Sequence, residues 1–263
     1  MKLVLLIFLS FPLYAAQSFV AACNGMQQGG GGTTINCSST LNVQAGDTLI
    51  VYGVAALTQC SSITFTPSDS DGSEVFTFPL PGGTISVKTG TFTGQCIKVW
   101  VVKNAIANAA KTMTMGASPT HTFWGIMVAQ LRETDNTAPV DAVAETLNSP
   151  NNSSTTSFVS SSFSTANAHE AVVGALVLNS NADTITAGTC PSGSACTLAA
   201  GSVAATTPFA AIEYELETSI QTTKTMAISS SSGAAGVFVT EAFIQAASTA
   251  VTANPSTFGI AVQ

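Results

Sequence analysis

Carboxylates are the side chains whose spacing could support chemistry in this chain, and the clearest set is Glu213, Glu215 and Glu217. They alternate with apolar residues, so a strand would place all three carboxylates on one face, with neighbours about 6.6–6.8 Å apart. That separation suits the acid and base of an inverting glycosidase. Identical carboxylates on one solvated face have no means of separating their pKa values, so the pattern favours a strand with one solvent-facing side.

A second acidic group, Asp69, Asp71 and Glu74, surrounds Gly72 in a predicted loop. Hard oxygen ligands at alternate positions suit Ca²⁺, which makes calcium the one cofactor that the sequence suggests. The later glutamate that would complete an EF-hand loop is missing. The alternative interpretation is an Asx-type β-turn between two strands, and the residues alone leave both interpretations open.

Histidines and aromatic residues give no catalytic pattern. His121 and His169, the only histidines, lie apart from any Gly-x-Ser-x-Gly elbow, so a Ser-His-Asp triad is not indicated. Four aromatic residues could stack on sugar rings, although such side chains more often fill the core of a β protein. They are Trp100, Trp124, Tyr52 and Tyr214. The sequence therefore predicts a protein that is not an enzyme.

The first eighteen residues have the layout of a secretory signal peptide. Lys2 precedes an apolar run over 3–14, and Ala16 and Ser18 supply small residues at the −3 and −1 positions of a cleavage site. Residues 20–23 also resemble a bacterial lipobox, in which Cys23 would be lipidated, but lipidation would leave an odd number of cysteines. No later apolar run is long enough to span a membrane. We expect a secreted protein, either extracellular or on the cell surface.

Six cysteines behind an export signal indicate disulfide bonds. Proximity along the chain favours three pairs, Cys23–Cys37, Cys60–Cys96 and Cys190–Cys196, the last closing a short loop that contains Pro and Gly. A zinc site is the competing use of these residues. No Cys-x-x-Cys pair occurs and histidine is nearly absent, which argues against zinc.

Charge is scarce in this chain. Charged residues make up 8% of the sequence, hydrophobic residues make up 46%, and the formal net charge is −7 with seven Lys and Arg in total. Disordered chains combine the opposite properties, so a folded core is expected. The absence of a basic patch argues against nucleic acid as a partner.

Strands separated by turn residues must position these side chains, because short runs rich in Val, Ile and Thr recur between Gly, Asn, Asp and Pro. The predicted strands are 48–54, 63–66, 75–78, 97–103, 112–115, 123–132, 171–178, 209–217, 223–228 and 236–245. No amphipathic helix is indicated. The chain is therefore predicted to be all-β.

An internal repeat organises these strands. The run 99–103 is followed at equal spacing by 111–115, as 212–216 is by 224–228, and an apolar run containing glycine comes next in both. We predict that residues 19–247 form an antiparallel β-sandwich of jelly-roll type built from two related halves, 19–147 and 157–247. The hinge between the halves is predicted at 148–156, and the alternative is two separate sandwiches joined near 149–154. Residues 248–263 are predicted to form a C-terminal tail.

The succession of turns and strands resembles a poorly characterised group of secreted bacterial β-sandwich proteins that are adhesin-like. The segments that carry the resemblance are 45–51, 66–72, 99–103, 128–133, 138–141 and 166–174. The resemblance spans roughly 19–247 and implies a location outside the cell or on its surface. It carries over no catalytic residues. Six cysteines are a departure, since such sequences have few.

Three functions follow as hypotheses. The first is a non-catalytic binding module for a glycan or another cell-surface component. The second is a structural subunit of an extracellular fibre, coat or sheath, in which copies of the chain associate through strand addition by residues 253–263. The third and least favoured is a secreted polysaccharide hydrolase that uses Glu213 or Glu215.

Overall fold

The computed structural model describes residues 16–27, 29–56, 58, 60–78, 95–146, 155–178, 184–201, 203 and 209–246. Within these residues the protein consists of eighteen β-strands and one short 3₁₀ helix, Cys60–Ser62. All strand pairs are antiparallel, which confirms the predicted all-β class. No helix in this part of the chain has the length and apolar character needed to span a membrane. Most of the predicted signal peptide, the centre of the predicted hinge and the predicted tail lie outside the described residues.

Ten strands precede residue 133 and form three sheets. They are β1 (Ser18–Gln27), β2 (Thr34–Asn36), β3 (Leu41–Val43), β4 (Thr48–Ala55), β5 (Thr64–Asp69), β6 (Phe76–Thr77), β7 (Cys96–Val102), β8 (Asn108–Lys111), β9 (Met113–Ser118) and β10 (Trp124–Arg132). A five-stranded sheet has the order β1-β10-β4-β7-β6, and a three-stranded sheet has the order β2-β9-β5. Strands β3 and β8 form a separate pair.

Eight strands follow and form two sheets. They are β11 (Val140–Thr146), β12 (Thr155–Val159), β13 (Glu170–Leu178), β14 (Ile185–Ala187), β15 (Thr197–Leu198), β16 (Phe209–Leu216), β17 (Ala227–Ala234) and β18 (Gly236–Ile244). The five-stranded sheet has the order β11-β18-β13-β16-β15 and the three-stranded sheet the order β12-β17-β14. We call β1–β10 the first half and β11–β18 the second half.

The two halves share one strand order. When β3 and β8 are set aside, the first strand of each half pairs with the last strand, β1 with β10 and β11 with β18. The last strand in turn pairs with the third strand of its half, which is β4 in the first half and β13 in the second. The boundary differs from the prediction, because β11 lies within residues 19–147 but pairs with β18 of the second half. The sheets therefore divide the chain between Arg132 and Val140. Jelly-roll type and common origin of the halves stay predictions.

The five-stranded sheets pack against each other, and this explains why their central strands are buried on both faces. Strands β4 and β13 are buried at every residue. Alternate residues of β13 share one hydrophobic core with β4, β7 and β10, and these are Ala171, Val173, Ala175 and Val177. The intervening residues Val172, Leu176 and Leu178 belong to a second core with β12, β14 and β17. In the second half the three-stranded sheet thus covers the outer face of the five-stranded sheet.

Three disulfide bonds connect neighbouring segments, and all three predicted pairings are confirmed. The chain has no free cysteine within the described residues. Cys23 is fully buried in its bond to Cys37 and lies in the middle of β1. A lipid on Cys23 is incompatible with this bond, so the lipobox interpretation does not fit the fold.

Candidate functional site

The acidic face of β16 is buried, and the predicted solvent-facing strand side is wrong. Glu213 is completely buried and Glu217 is 4% exposed. The cause is the segment after β14, which covers this face: the Gly188 N–H donates to Glu213 Oε2 at 3.1 Å, and the Ser192 N–H donates to Glu215 Oε2 at 3.2 Å. Alternation along β16 was correctly predicted, but a second layer of chain takes the place of solvent.

Burial changes the acid–base behaviour of these carboxyl groups. Desolvation raises the pKa of Glu213 to about 8, opposed only by the Gly188 N–H. Desolvation, with the neighbouring Glu215 carboxylate, raises the pKa of Glu217 to about 8. Glu213 Oε1 and Glu217 Oε1 have no hydrogen-bond partner. Both groups therefore carry a proton at neutral pH.

Glu170 lies directly across from Glu217. Ala171 pairs with Leu216, and the Glu217 N–H donates to the Glu170 carbonyl at 2.7 Å, so the two side chains share one face. Glu170 is fully buried. Desolvation and the Asp141 carboxylate raise the pKa of Glu170 to about 7, and Glu170 Oε2 has no hydrogen-bond partner. Glu170 could not be recognised from the sequence, because a single glutamate at the start of a strand forms no pattern with its neighbours.

Asp47 holds the position in the first half that Glu170 holds in the second. Each carboxylate stands at the start of the central strand and accepts the backbone N–H three residues earlier, from Gln44 at 2.8 Å and from Asn167 at 3.1 Å. The residue before each, Gly46 and His169, has positive φ angles of 90° and 62°. The two turns are thus built in the same way.

The electrostatic partners of Asp47 and Glu170 differ. The Arg132 guanidinium donates to both Asp47 oxygens, at 2.9 Å and 3.0 Å, and Gln130 Nε2 donates to Asp47 Oδ2 at 2.6 Å. Burial opposes ionisation of Asp47, but these donors outweigh it and hold its pKa below the usual value. Arg132 follows Leu131, the partner of Thr48, and the corresponding position beside Glu170 holds Ile244. Glu170 therefore lacks a cation of the kind that Asp47 has.

A pocket opens at these strand ends. Its volume is about 140 Å³, similar to a cavity of about 150 Å³ that accommodates benzene. We call it the strand-end pocket, and it is lined by Ala16, Gln17, His169, Glu170, Leu216, Glu217, Thr218 and Gln245. Leu216 is 42% exposed and Ile220, in the turn that follows, is 57% exposed. The predicted cleavage after Ser18 would remove Ala16 and Gln17 from this lining.

The predicted calcium ligands meet a cation of the protein itself. Asp69 and Asp71 lie 3.6 Å and 3.4 Å from Lys111 Nζ, and Glu74 forms a closer ion pair with the same ammonium. Lys111 is fully buried. Among the described residues no group of His, Cys, Asp and Glu has the arrangement of a metal site. The lysine ammonium is thus a cation that these carboxylates already contact, and the loop also forms the predicted turn at Gly72. Calcium at this loop stays a prediction.

The other predicted candidates are part of the framework. His121 contacts Thr58 Oγ1 at 3.2 Å and the Ser62 carbonyl at 3.1 Å through its two ring nitrogens. Trp124 and Tyr52 are fully buried and Trp100 is 7% exposed. Tyr214 stacks on Phe19 with ring centroids 3.9 Å apart. These aromatic rings join strands and present no open platform for a sugar.

Comparison with known proteins identifies no relative, since no family model, curated protein or solved structure matches the chain. The resemblance to secreted bacterial adhesin-like proteins therefore stays a prediction.

Proposed function

We propose that this protein is a non-catalytic, secreted or cell-surface binding module that contacts its partner at the strand-end pocket. The partner is a glycan or another component of a cell surface. The observation that carries the proposal is the pocket itself, with exposed Leu216 in its lining and exposed Ile220 in the turn that follows β16. Large apolar side chains in an open concave site favour binding.

The carboxyl groups at the pocket support binding rather than hydrolysis. Hydrolysis by a carboxyl pair needs one protonated acid and one ionised base, which requires environments that push the two pKa values apart. Glu170 and Glu217 shift in the same direction, to about 7 and about 8. The hydrolase hypothesis names Glu213 and Glu215, and neither lines the pocket; Glu213 is fully buried.

The chemistry of the lining suits the edge of a sugar ring. Leu216 offers an apolar contact, and Thr218 and His169 place polar groups at the same rim. Sugar rings combine apolar C–H faces with hydroxyl groups, so a site of mixed character and small size fits one ring or less. The three disulfide bonds suit an oxidising extracellular location.

A glycan array, read for both retention and product release, tests this proposal. Wild-type protein should be retained on a subset of glycans without generating new reducing ends. Leu216→Ser should reduce retention at least tenfold, because the apolar wall is lost. Ile106→Ser is the matched control, since Ile106 is 51% exposed in the first half, away from the pocket. Equal retention of the two variants would contradict the assignment of the pocket, and reducing-end release would contradict a non-catalytic role.

A structural subunit is the second candidate. Strand β1 lies at the edge of its sheet and is ten residues long, and β11 lies at the edge of the other five-stranded sheet. Long edges accept strands from neighbouring chains. Deleting residues 253–263 and measuring mass by light scattering tests this idea. Assemblies that disappear on deletion would support it, and a wild-type monomer at all concentrations would contradict it.

A further inference from the structure

We propose that protons control the strand-end pocket: protonated Glu170 and Glu217 hold the strand ends together, and ionisation of the two carboxyl groups separates them and dismantles the pocket. This regulation rests on the proposed function only in treating the pocket as the binding site. The structural claim, that the strand ends open as the carboxyl groups ionise, stands without a ligand.

Geometry places each of the two carboxyl groups beside a further carboxylate, Asp141 for Glu170 and Glu215 for Glu217, so that ionisation of either group is costly. They lie opposite each other on neighbouring strands, joined by the hydrogen bond from the Glu217 N–H to the Glu170 carbonyl. Directly opposed like charges destabilise a strand pair. Each group also has one buried oxygen without a hydrogen-bond partner, so an ionised carboxylate would be incompletely solvated.

Neither carboxyl group forms an ion pair within the described residues, whose ion pairs involve Lys111 and Arg132. His169, the residue before Glu170, is the titratable group that shares the pocket lining with them. Glu170 faces Asp141 of β11 and accepts the Asn167 N–H. Glu217 faces Glu215 of its own strand and accepts a hydrogen bond of 2.7 Å from Gln221 Nε2. Lys224 favours ionisation of Glu217 from a distance, but less strongly than burial and Glu215 oppose it.

The first half shows what the same turn does when a cation is present. Asp47 is as deeply buried as Glu170 but stays ionised, because Arg132 binds both of its oxygens. At the corresponding position Ile244 offers no charge to Glu170. Protonation therefore neutralises the buried Glu170 carboxyl group in the second half, whereas Arg132 compensates the charge of Asp47 in the first half.

The direction of the pH effect follows from linkage. Carboxyl groups that are protonated in the closed state and ionised in the open state stabilise the closed state fully below pH about 4.5, and this contribution is lost as pH rises. The window runs from the ordinary glutamate pKa of 4.5 to about 7 for Glu170 and about 8 for Glu217. Within it, the equilibrium constant for opening should rise about tenfold per pH unit for each carboxyl group.

Hydrogen exchange followed by mass spectrometry between pH 5 and pH 8, corrected for the intrinsic pH dependence of exchange, tests the proposal. The amides to follow are those of Glu217 and Gln221, which donate to Glu170 O and Thr165 Oγ1. In the wild type their protection should fall at least tenfold across this range. In Glu170→Gln/Glu217→Gln it should stay constant, because glutamine keeps the acceptors and cannot ionise.

Two further variants complete the test. Ile244→Arg supplies a cation to Glu170 alone and should reduce the pH dependence to the part that Glu217 contributes, which keeps the proposal testable if the double variant does not fold. Glu213→Gln is the matched control, a buried carboxyl group on the same strand outside the pocket, and should retain the wild-type pH dependence at the strand ends. Protection independent of pH in the wild type, or unchanged pH dependence in both test variants, would overturn the proposal.

Exchange needs no ligand, so the two proposals can fail separately. Exchange that depends on pH in a protein that binds no glycan would remove only the binding function. Binding at the pocket with exchange independent of pH would remove only the control by protons.

Discussion

The Tyr52 hydroxyl donates a 2.8 Å hydrogen bond to Glu241 Oε2, which connects β4 of the first half to β18 of the second. Both residues are fully buried between the five-stranded sheets. Burial, together with Glu241, raises the pKa of Tyr52 well above its usual value, so the hydroxyl keeps its proton and remains a donor. The interface between the halves thus contains a polar contact within an otherwise apolar core.

Removing that donor should weaken the interface. Tyr52→Phe keeps the ring and its packing but deletes a buried hydrogen bond to a carboxyl oxygen, so we expect a loss of about 1–3 kcal/mol in the free energy of unfolding. Urea denaturation measures this directly. Thr114→Ser, at a residue whose hydroxyl bonds Asn36 on the exposed side of β9, serves as the control and should change stability by less than about 0.5 kcal/mol.

Much of this framework could be predicted from residue patterns, and the reason is local. Strand β4 was predicted at 48–54 and occupies Thr48–Ala55, because an apolar run flanked by a turn has few other stable conformations. Strand β17 was predicted to begin at 223 and begins at Ala227, because Thr223 adopts a positive φ of 51°. The short strands and the pairing of β11 with β18 depend on distant segments and gave no local signal.

For the acidic candidate residues, the sequence predicted which residues group together but not what covers or contacts them. Alternation placed Glu213, Glu215 and Glu217 on one face correctly, but whether solvent or protein covers a face depends on the packing of layers. Asp69, Asp71 and Glu74 were correctly grouped, but their partner Lys111 lies 37 or more residues further along the chain. Glu170 gained importance only through its comparison with Asp47, which requires the fold of both halves.

Thermal stability should increase as the pH is lowered from 8 to 5. The pKa values of Glu170, Glu213 and Glu217 are raised to about 7, 8 and 8, so the folded state binds more protons than the unfolded state above pH 4.5. Each group contributes at most about 1.4 kcal/mol per pH unit in its window. Scanning calorimetry checks this, and a melting temperature that rises with pH across the range would contradict it.

Further acidification should reverse this trend. Asp47 has a pKa held below its usual value, so the stability that it contributes is present above pH 3.8 and is lost as pH falls through its folded pKa. Arg132→Gln removes the ion pair and should shift the acid unfolding midpoint to higher pH. Circular dichroism along an acid titration measures the midpoint. An unchanged midpoint would show that protonation of Asp47 does not contribute to acid unfolding.

Replacing Lys111 should expose the charge of the acidic loop. Lys111→Met leaves Asp69, Asp71 and Glu74 without their buried ammonium, and breaking a buried ion pair by removing one partner costs about 3–5 kcal/mol. Chemical denaturation of wild type and variant measures the loss. Calcium should leave the melting temperature of the wild type unchanged, whereas stabilisation of the wild type by calcium would support the predicted metal site.

The disulfide bonds should differ in their contributions. Cys60–Cys96 closes a loop of 36 residues and Cys190–Cys196 closes one of 6. In the chain-entropy model these loops correspond to about 4 and about 2 kcal/mol. Denaturation of the two double-alanine variants compares them, and a greater loss from the shorter loop would show that native packing rather than loop entropy dominates.

Titration of the Glu170 carboxyl group by ¹³C NMR in the wild type and in Ile244→Arg tests most directly whether a proton replaces a cation in the second half. Glu170→Gln identifies the signal. We predict a pKa of about 7 in the wild type and a pKa below 4.5 in Ile244→Arg, where the guanidinium would bind Glu170 as Arg132 binds Asp47. A wild-type value near 4.5, or a value in the variant equal to that of the wild type, would contradict the account.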